Sequence, residues 1–247
     1  MNRRVDAIAV IVPAHDEEQL IGACLASIGI AARAARHAVD HLSVWAVLDA
    51  CTDRSADIAR DAGVELLAVD ARSVGTARAT GVRAALDRLV GIRPDRIWTA
   101  HTDADSVVPV NWLTHQLSLA RRGVDVVVGT VRPDFRDLDA SQIEAWLATH
   151  TPGAANGHVH GANLGIRANV LLDAGGFTDA TVHEDVWLID EIRARGGRLA
   201  ATDGAWVRTS GRQVGRAPDG YARYLREDLV ALADAARSTL PAASTPR

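Results

Sequence analysis

Ile97-Trp98-Thr99-Ala100-His101-Thr102-Asp103-Ala104-Asp105-Ser106 decides the fold: an apolar run ends in two carboxylates one residue apart. A strand that ends this way presents both carboxylates at its carboxyl edge. Such a pair offers hard oxygen ligands to magnesium or manganese and leaves coordination positions open for phosphate oxygens and water. It equally suits an ordinary turn, so the rest of the chain must decide.

Working outward, short apolar runs at Ala7 to Val12, Leu42 to Leu48, Val64 to Val69 and Ile97 to Ala100 read as strands. Between them lie stretches of helical period. Leu20, Ile21, Cys24, Leu25 and Ile28 mark the buried face of one, and Val74, Ala77, Val82, Ala85, Leu86 and Leu89 that of another. Strands alternating with helices predict an α/β domain with a mainly parallel, Rossmann-like sheet flanked by helices. Ligands of such sheets bind beyond the strand carboxyl ends.

The second half is less regular. Pro109 suits a helix first turn with Trp112, Leu113 and Leu117 on its apolar side, and Val124 to Val128 reads as a strand. Ser141 to Thr149 reads as a helix, and Gly153 to Gly165 as a glycine-rich loop lining a site. Arg167 to Ala174 and His183 to Arg195 read as helices, each stopped by a Gly-Gly pair. Leu199 to Thr202 and Trp206 to Thr209 read as two late strands. The glycine-flanked loop Gly211 to Arg216 and a helix over about 219–236 complete one domain of 1–237, with a frayed tail at 238–247. The domain divides into a first half of about 1–106 and a second of about 107–216.

Composition narrows the chemistry. All 27 basic residues among the 247 are arginine, which excludes Schiff-base chemistry and a P-loop lysine, so a phosphate clamp must be built from guanidinium forks. A net charge of -4 with no long basic block argues against a nucleic-acid partner. Cys24 and Cys51 have neither CxxC nor zinc spacing, which fits a reduced cytoplasmic protein. Arg3-Arg4 and the apolar residues after them imitate a signal sequence, but Asp6 interrupts the run. No run approaches the roughly 18–20 apolar residues of a membrane span, so membrane contact is expected to be peripheral at most.

Four strand ends in the first half carry polar residues: VIVPAHDEE (Val10 to Glu18), VLDACTDRS (Val47 to Ser55), VGTARATG (Val74 to Gly81) and TDADS (Thr102 to Ser106). In this order and spacing they resemble the nucleotide-sugar half of glycosyltransferase family 2, whose fold is GT-A. GANLGIR (Gly161 to Arg167) resembles the family's acceptor-side loop, and His183-Glu184-Asp185 its Glu-Asp motif at a helix start.

The resemblance implies that Pro13, Ala14 and Glu17 hold base and ribose. It implies that Asp49 reads a uracil edge, pointing to a UDP-sugar donor, and that Arg78 faces the nucleotide. The family's usual Asp-Gly-Ser-Thr-Asp is here Asp49-Ala50-Cys51-Thr52-Asp53, and its Tyr-Asn pair is His15-Asp16. Asp103 is implied near the ribose and Asp105 as the metal ligand, the metal being Mn2+ or Mg2+. Arg212 and Arg216 are placed to close over the diphosphate. Asp185 is the implied base of an inverting transfer to an acceptor hydroxyl, with Glu184 orienting or supporting it. The same two acids also suit a helix first turn through its dipole.

His158 and His160 alternate and would share a face on a strand; His101 is expected to pack below the metal site. Trp45 and Trp98 read as core, while Trp146 and Trp187 fall in the acceptor half. A sugar-phosphate nucleotidyltransferase would need a basic, glycine-rich first loop, and the loop here is acidic without glycine. A non-catalytic nucleotide-sugar binding protein would need no Glu-Asp pair. No GxGxxG follows the first strand, against a dinucleotide oxidoreductase.

Overall fold

A computed structural model describes residues 3–155, 158–179, 184–215, 220–232 and 234. Its centre is β1 (Ala7–Ala14), buried along its whole length. Both faces of such a strand must be covered, which is why it reads as a continuous apolar run. Ile8, Val10 and Val12 join one core cluster with α1 (Ile21–Ala35) and α4 (Trp112–Arg121). Ala9 and Ile11 point the other way, into a cluster with α3 (Val74–Arg88), α6 (Ala168–Asp173) and α7 (Glu184–Ala194).

Around β1 run β2 (His41–Asp49), β3 (Glu65–Val69) and β4 (Ile97–His101), all parallel. α2 (Ser55–Asp61) links β2 to β3. The sheet is completed by β5 (Ser106–Val107), β6 (Val126–Pro133), β7 (Leu164–Arg167) and β8 (Leu199–Thr209), in the order β3-β2-β1-β4-β7-β6-β8-β5. It is mostly parallel but mixed: β7 runs antiparallel to both β4 and β6, and β5 antiparallel to β8.

Two expectations are corrected. GANLGIR is not a loop, because only Gly161–Asn163 forms a short 3-10 turn and Leu164 onward is the strand between β4 and β6. The two late strands are one, β8, whose register against β6 slips between Gly129 and Val131, so that residues 203–206 stand against Thr130 alone.

α5 (Ala140–Thr149) begins at a capping box in which Asp139 and Gln142 each bond the other's backbone N–H. Against it packs α8 (Tyr221–Arg223), continued by a π-helical turn, Tyr224–Asp228; Leu225 and Leu229 meet Trp146 in a third core cluster. Arg216, the start of the helix expected from 219, and the tail at 238–247 lie outside the described residues.

Candidate active site

The parallel strands β1, β2 and β4 deliver their carboxyl ends to one edge, and the backbone there is unusual. Asp16, Ala50 and Arg72, each following a strand end, have φ of 49°, 51° and 51°. Side chains with a Cβ seldom hold this left-handed region. Ala50 does so where the resembled motif has glycine.

Carboxylates lock these turns. Asp49 Oδ1 accepts the N–H groups of Ala71 and Arg72, and its Oδ2 that of Ser73, each at 2.8 Å. The side chain expected to read a base edge is therefore buried and engaged with the loop after β3, leaving at most a remaining lone pair for a ligand. Asp16 Oδ1 accepts from the N–H of Thr52 at 2.7 Å, and Asp53 from those of Glu18 and Ser55. Asp16, Cys51 and Asp53 bring their ligand atoms within 4.8 Å of one another, yet their carboxylates serve the turns. His15 Nδ1 lies 2.6 Å from the Asp49 carbonyl oxygen.

Pro13 and Ala14 end β1, and Glu17 is buried just beyond them. Arg212 spans the gap from the far side of the edge: Nη1 lies 2.8 Å from Glu17 Oε1, and Nη2 2.8 Å from Asp105 Oδ2. Asp105 also accepts from the Thr209 hydroxyl at 3.0 Å, and its backbone oxygen accepts from the N–H of Ser210. Burial first, and then the charge of Asp103, push its carboxyl up to about 6, while Arg212 opposes them. Asp105 and Asp103 are oxygen-only donors, and Asp105 already draws in a cation, a donor chemistry that fits a hard divalent metal.

Asp103 is more exposed than Asp105 and turns the other way, its Oδ1 2.5 Å from Arg78 Nη2. Arg78 is 3% exposed and pairs through Nη1 with Glu184 Oε1. Burial pushes Glu184 up from its usual range, and Arg78 opposes the shift. Next to it on α7, Asp185 Oδ2 accepts the N–H of Gly161 at 2.6 Å and Oδ1 that of Val186 at 2.8 Å. The edge therefore brings Glu17, Asp103, Asp105, Arg78, Arg212, Glu184 and Asp185 into one charged centre.

Sequence reasoning missed several supporting residues. Thr209 carried no signal beyond ending a strand. Asn163 was read into an acceptor loop, but it is buried: its Nδ2 donates to the carbonyls of Thr130 and Ala205, and its Oδ1 accepts from Trp112 Nε1. Arg167 is likewise internal, donating to the carbonyls of Asp95 and Ala120.

The remaining expectations divide. His101 is fully buried, bonded to Thr99 and edge-on to Phe177, with burial holding it neutral well below its usual range. His158 and His160 have ring centroids 6.1 Å apart, and His160 also meets Tyr221 edge-on. Trp45, Trp98 and Trp146 are buried, whereas Trp187 is 69% exposed.

The model of glycosyl transferase family 2 matches residues 9–152. A dolichyl-phosphate hexose transferase of Haloferax volcanii is 32% identical over 124 residues, 50% of this chain and 47% of that protein. The chain thus spans about half the length of this curated relative. Among solved structures, the mannosyltransferase PcManGT of Pyrobaculum calidifontis, in complex with GDP-Man and Mn2+, superposes with a TM-score of 0.62 at 20% identity. That match covers 97% of this chain and 76% of the other. TarS of S. aureus in complex with UDP-GlcNAc gives 0.60 at 14% identity, over 87% of this chain and 61% of that one. Glucosyl-3-phosphoglycerate synthase of M. tuberculosis gives 0.53 at 16%, over 96% and 82%. The shared fold is GT-A.

Proposed function

The chain belongs to glycosyl transferase family 2, and on that premise we propose that it is an inverting, divalent-metal-dependent transferase moving a sugar from a nucleoside diphosphate to an acceptor hydroxyl. One observation carries the reading. Arg78 is shared between Asp103 and Glu184, so the carboxylates at the end of β4 and the acids at the start of α7 belong to a single centre. A binding module has no need of the second group.

In this reading Pro13, Ala14 and Glu17 hold base and ribose at the end of β1, and Asp49 shapes the loop beside them. Asp105, with Asp103, would hold Mn2+ or Mg2+. When bound, the metal supplies electrostatic stabilisation of the negative charge gathering on the departing diphosphate. Arg212 is the guanidinium within reach of the same diphosphate, and Arg216 is assigned there by sequence alone. Asp185 takes the proton of the acceptor hydroxyl as that oxygen attacks the anomeric carbon opposite the leaving group. The N–H groups of Gly161 and Val186 aim its carboxylate, and Glu184 anchors the helix turn beneath it.

UDP-sugar is the first donor to test, from the family motifs, and GDP-sugar the second, because PcManGT is in complex with GDP-Man. Among the described residues no helix is long and apolar enough to cross a membrane. The two free cysteines fit the cytoplasm as the place of action.

Calorimetric titration with UDP, GDP, UDP-glucose and GDP-mannose, first with Mn2+ and then with chelator, tests the proposal. One nucleotide series should bind only with metal. Asp105→Asn should abolish that binding, while Asp185→Asn should keep it and stop release of nucleoside diphosphate. Binding of neither series, or turnover by both variants at the rate of the unaltered protein, would overturn the reading.

A further inference from the structure

Among the described residues, one guanidinium near the candidate site has no polar partner. Arg132 lies near the end of β6, with its Cζ 4.3 Å from the ring centroid of Phe135, 5.3 Å from that of Trp206 and 5.8 Å from that of Trp146. Among the described residues no carboxylate, carbonyl or hydroxyl receives a hydrogen bond from it. Every other arginine of the candidate site that the structure describes is paired with a carboxylate. Stacking on aromatic rings fixes the plane of the fork and leaves its N–H donors unspent.

Its place in the sheet gives this vacancy meaning. β6 and β4 both run antiparallel to β7, so their carboxyl ends share one edge. Arg132 pairs in register with Arg208, and the next pair is Pro133 with Thr209. Thr209 is the residue whose hydroxyl bonds Asp105. The two arginines are thus one register step from the residue that bonds the proposed metal ligand.

They also point to the acceptor side. Val126 and Val128 of β6 lie in the cluster that contains Leu188 and Ile189 of α7, and Arg132 follows them at the same alternation. Ala205 and Val207 of β8 lie in the opposite cluster, so Trp206 and Arg208 share the face of Arg132. Trp206 and Arg208 remain accessible, at 41% and 44%. The nearby acid, Asp134, is 3.7 Å from Arg208 but is taken up by Arg136, whose hydrogen bonds hold its carboxyl down at about 2. Asp137 accepts the N–H of Gly211. Among the described residues, Arg132 is the member of the patch that no carboxylate meets, while Arg208 keeps only a long contact with Asp134.

We infer that Arg132 and Arg208 form an anion subsite for an acceptor that carries a phosphate group. A fork with its donors free, beside a second arginine, suits phosphate oxygens, which accept several hydrogen bonds at once. A neutral sugar acceptor would leave the Arg132 charge unmatched. The inference rests on the transferase reading and names the acceptor's chemistry within it.

The test uses the full chain with its donor site filled by Mn2+ and whichever of UDP or GDP binds, titrated calorimetrically with inorganic phosphate and with dodecyl phosphate below its micellar concentration. Arg132→Gln and Arg208→Gln should each weaken binding of the phosphate probe about tenfold, with nucleotide affinity unchanged within twofold. Arg132→Lys should recover part of the loss, since charge returns without the fork. Arg208 is exposed, so its variant keeps the test valid should Arg132→Gln melt early. Equal affinity for the two probes would identify a soluble phosphate, and markedly tighter dodecyl phosphate a lipid phosphate; either supports the subsite. Absence of binding at millimolar probe, or both Gln variants within twofold of the unaltered protein, overturns it. If neither nucleotide binds, the same titrations on free protein, with Asp105→Asn to remove phosphate held at the donor site, still read the subsite while the transferase reading falls.

Discussion

Arg78 and Glu184, 106 residues apart in the chain, form an ion pair with both side chains 5% exposed or less, and the second arm of Arg78 reaches Asp103. α3 and α7 are thereby tied to the end of β4 by charge. Removing Glu184 leaves the buried Arg78 with Asp103 alone, at a cost of up to about 3–5 kcal/mol, whereas replacing both Arg78 and Glu184 by apolar groups of similar volume can be nearly neutral. Glu184→Ala should therefore unfold at markedly lower urea, and Arg78→Met/Glu184→Leu should regain much of that loss without regaining turnover. If the double variant is no more stable than Glu184→Ala, the pair does not carry α7.

Gly161 makes that arrangement possible. A Cβ there would sit 2.4 Å from Arg78 Nη2 and 2.6 Å from its Cζ, and the guanidinium has no room to retreat between two carboxylates. Gly161→Ala should cost about 1–3 kcal/mol by overpacking and misplace the N–H that holds Asp185. The expected result is a lowered melting temperature together with loss of nucleoside diphosphate release, while binding of the metal-nucleotide complex persists. A variant that melts and turns over normally would mean that Arg78 finds another seat.

The first half of the chain was legible because its signals are local. β1 alternates its side chains between two covered faces, α1 repeats its apolar residues at helical spacing, and Asp103 and Asp105 follow an apolar run. The second half was less so, because its strands depend on their neighbours. Gly161 and Gly165 make β7 look like a loop, yet at Gly165 a Cβ would strike Trp98 and Gln116, so close packing demands the glycine that disguises the strand. Asp203-Gly204 divides β8 by eye, but pairing with β6 carries the strand across it. The pairings of Arg78 with Glu184 and of Arg212 with Glu17 join distant segments, and no spacing rule foretells them. Nor does a motif show that the Asp49 oxygens accept the backbone N–H groups of residues 71–73.

Acid should loosen the surroundings of His160 first. Burial is the main cause that pushes His160 down to about 4 from 6.5; His158 and His150 add to the shift and Asp185 opposes it. With the folded value below the unfolded one, the unfolded chain binds the extra proton between them. The stabilisation is present in full above about pH 6.5 and is lost as pH falls through about 4. His101, lowered for the same reason, acts in the same direction. The urea midpoint should fall across this window, and less steeply in His160→Gln. An unchanged slope in that variant would remove His160 from the account.

Arg212 stands where a cation is wanted, bridging Glu17 Oε1 and Asp105 Oδ2 at 2.8 Å each. A divalent ion on Asp105 must compete with that guanidinium, whereas a diphosphate offers the same fork new acceptors. Metal and nucleotide should therefore respond in opposite directions to its removal. In Arg212→Gln, Mn2+ binding to the nucleotide-free protein, followed by the loss of the free-ion electron paramagnetic resonance signal, should tighten severalfold. Binding of the nucleoside diphosphate in the presence of Mn2+ should weaken about tenfold, the scale of one charge-assisted contact. If Mn2+ affinity instead falls with the arginine gone, Arg212 organises the carboxylates for the metal and does not stand in for it.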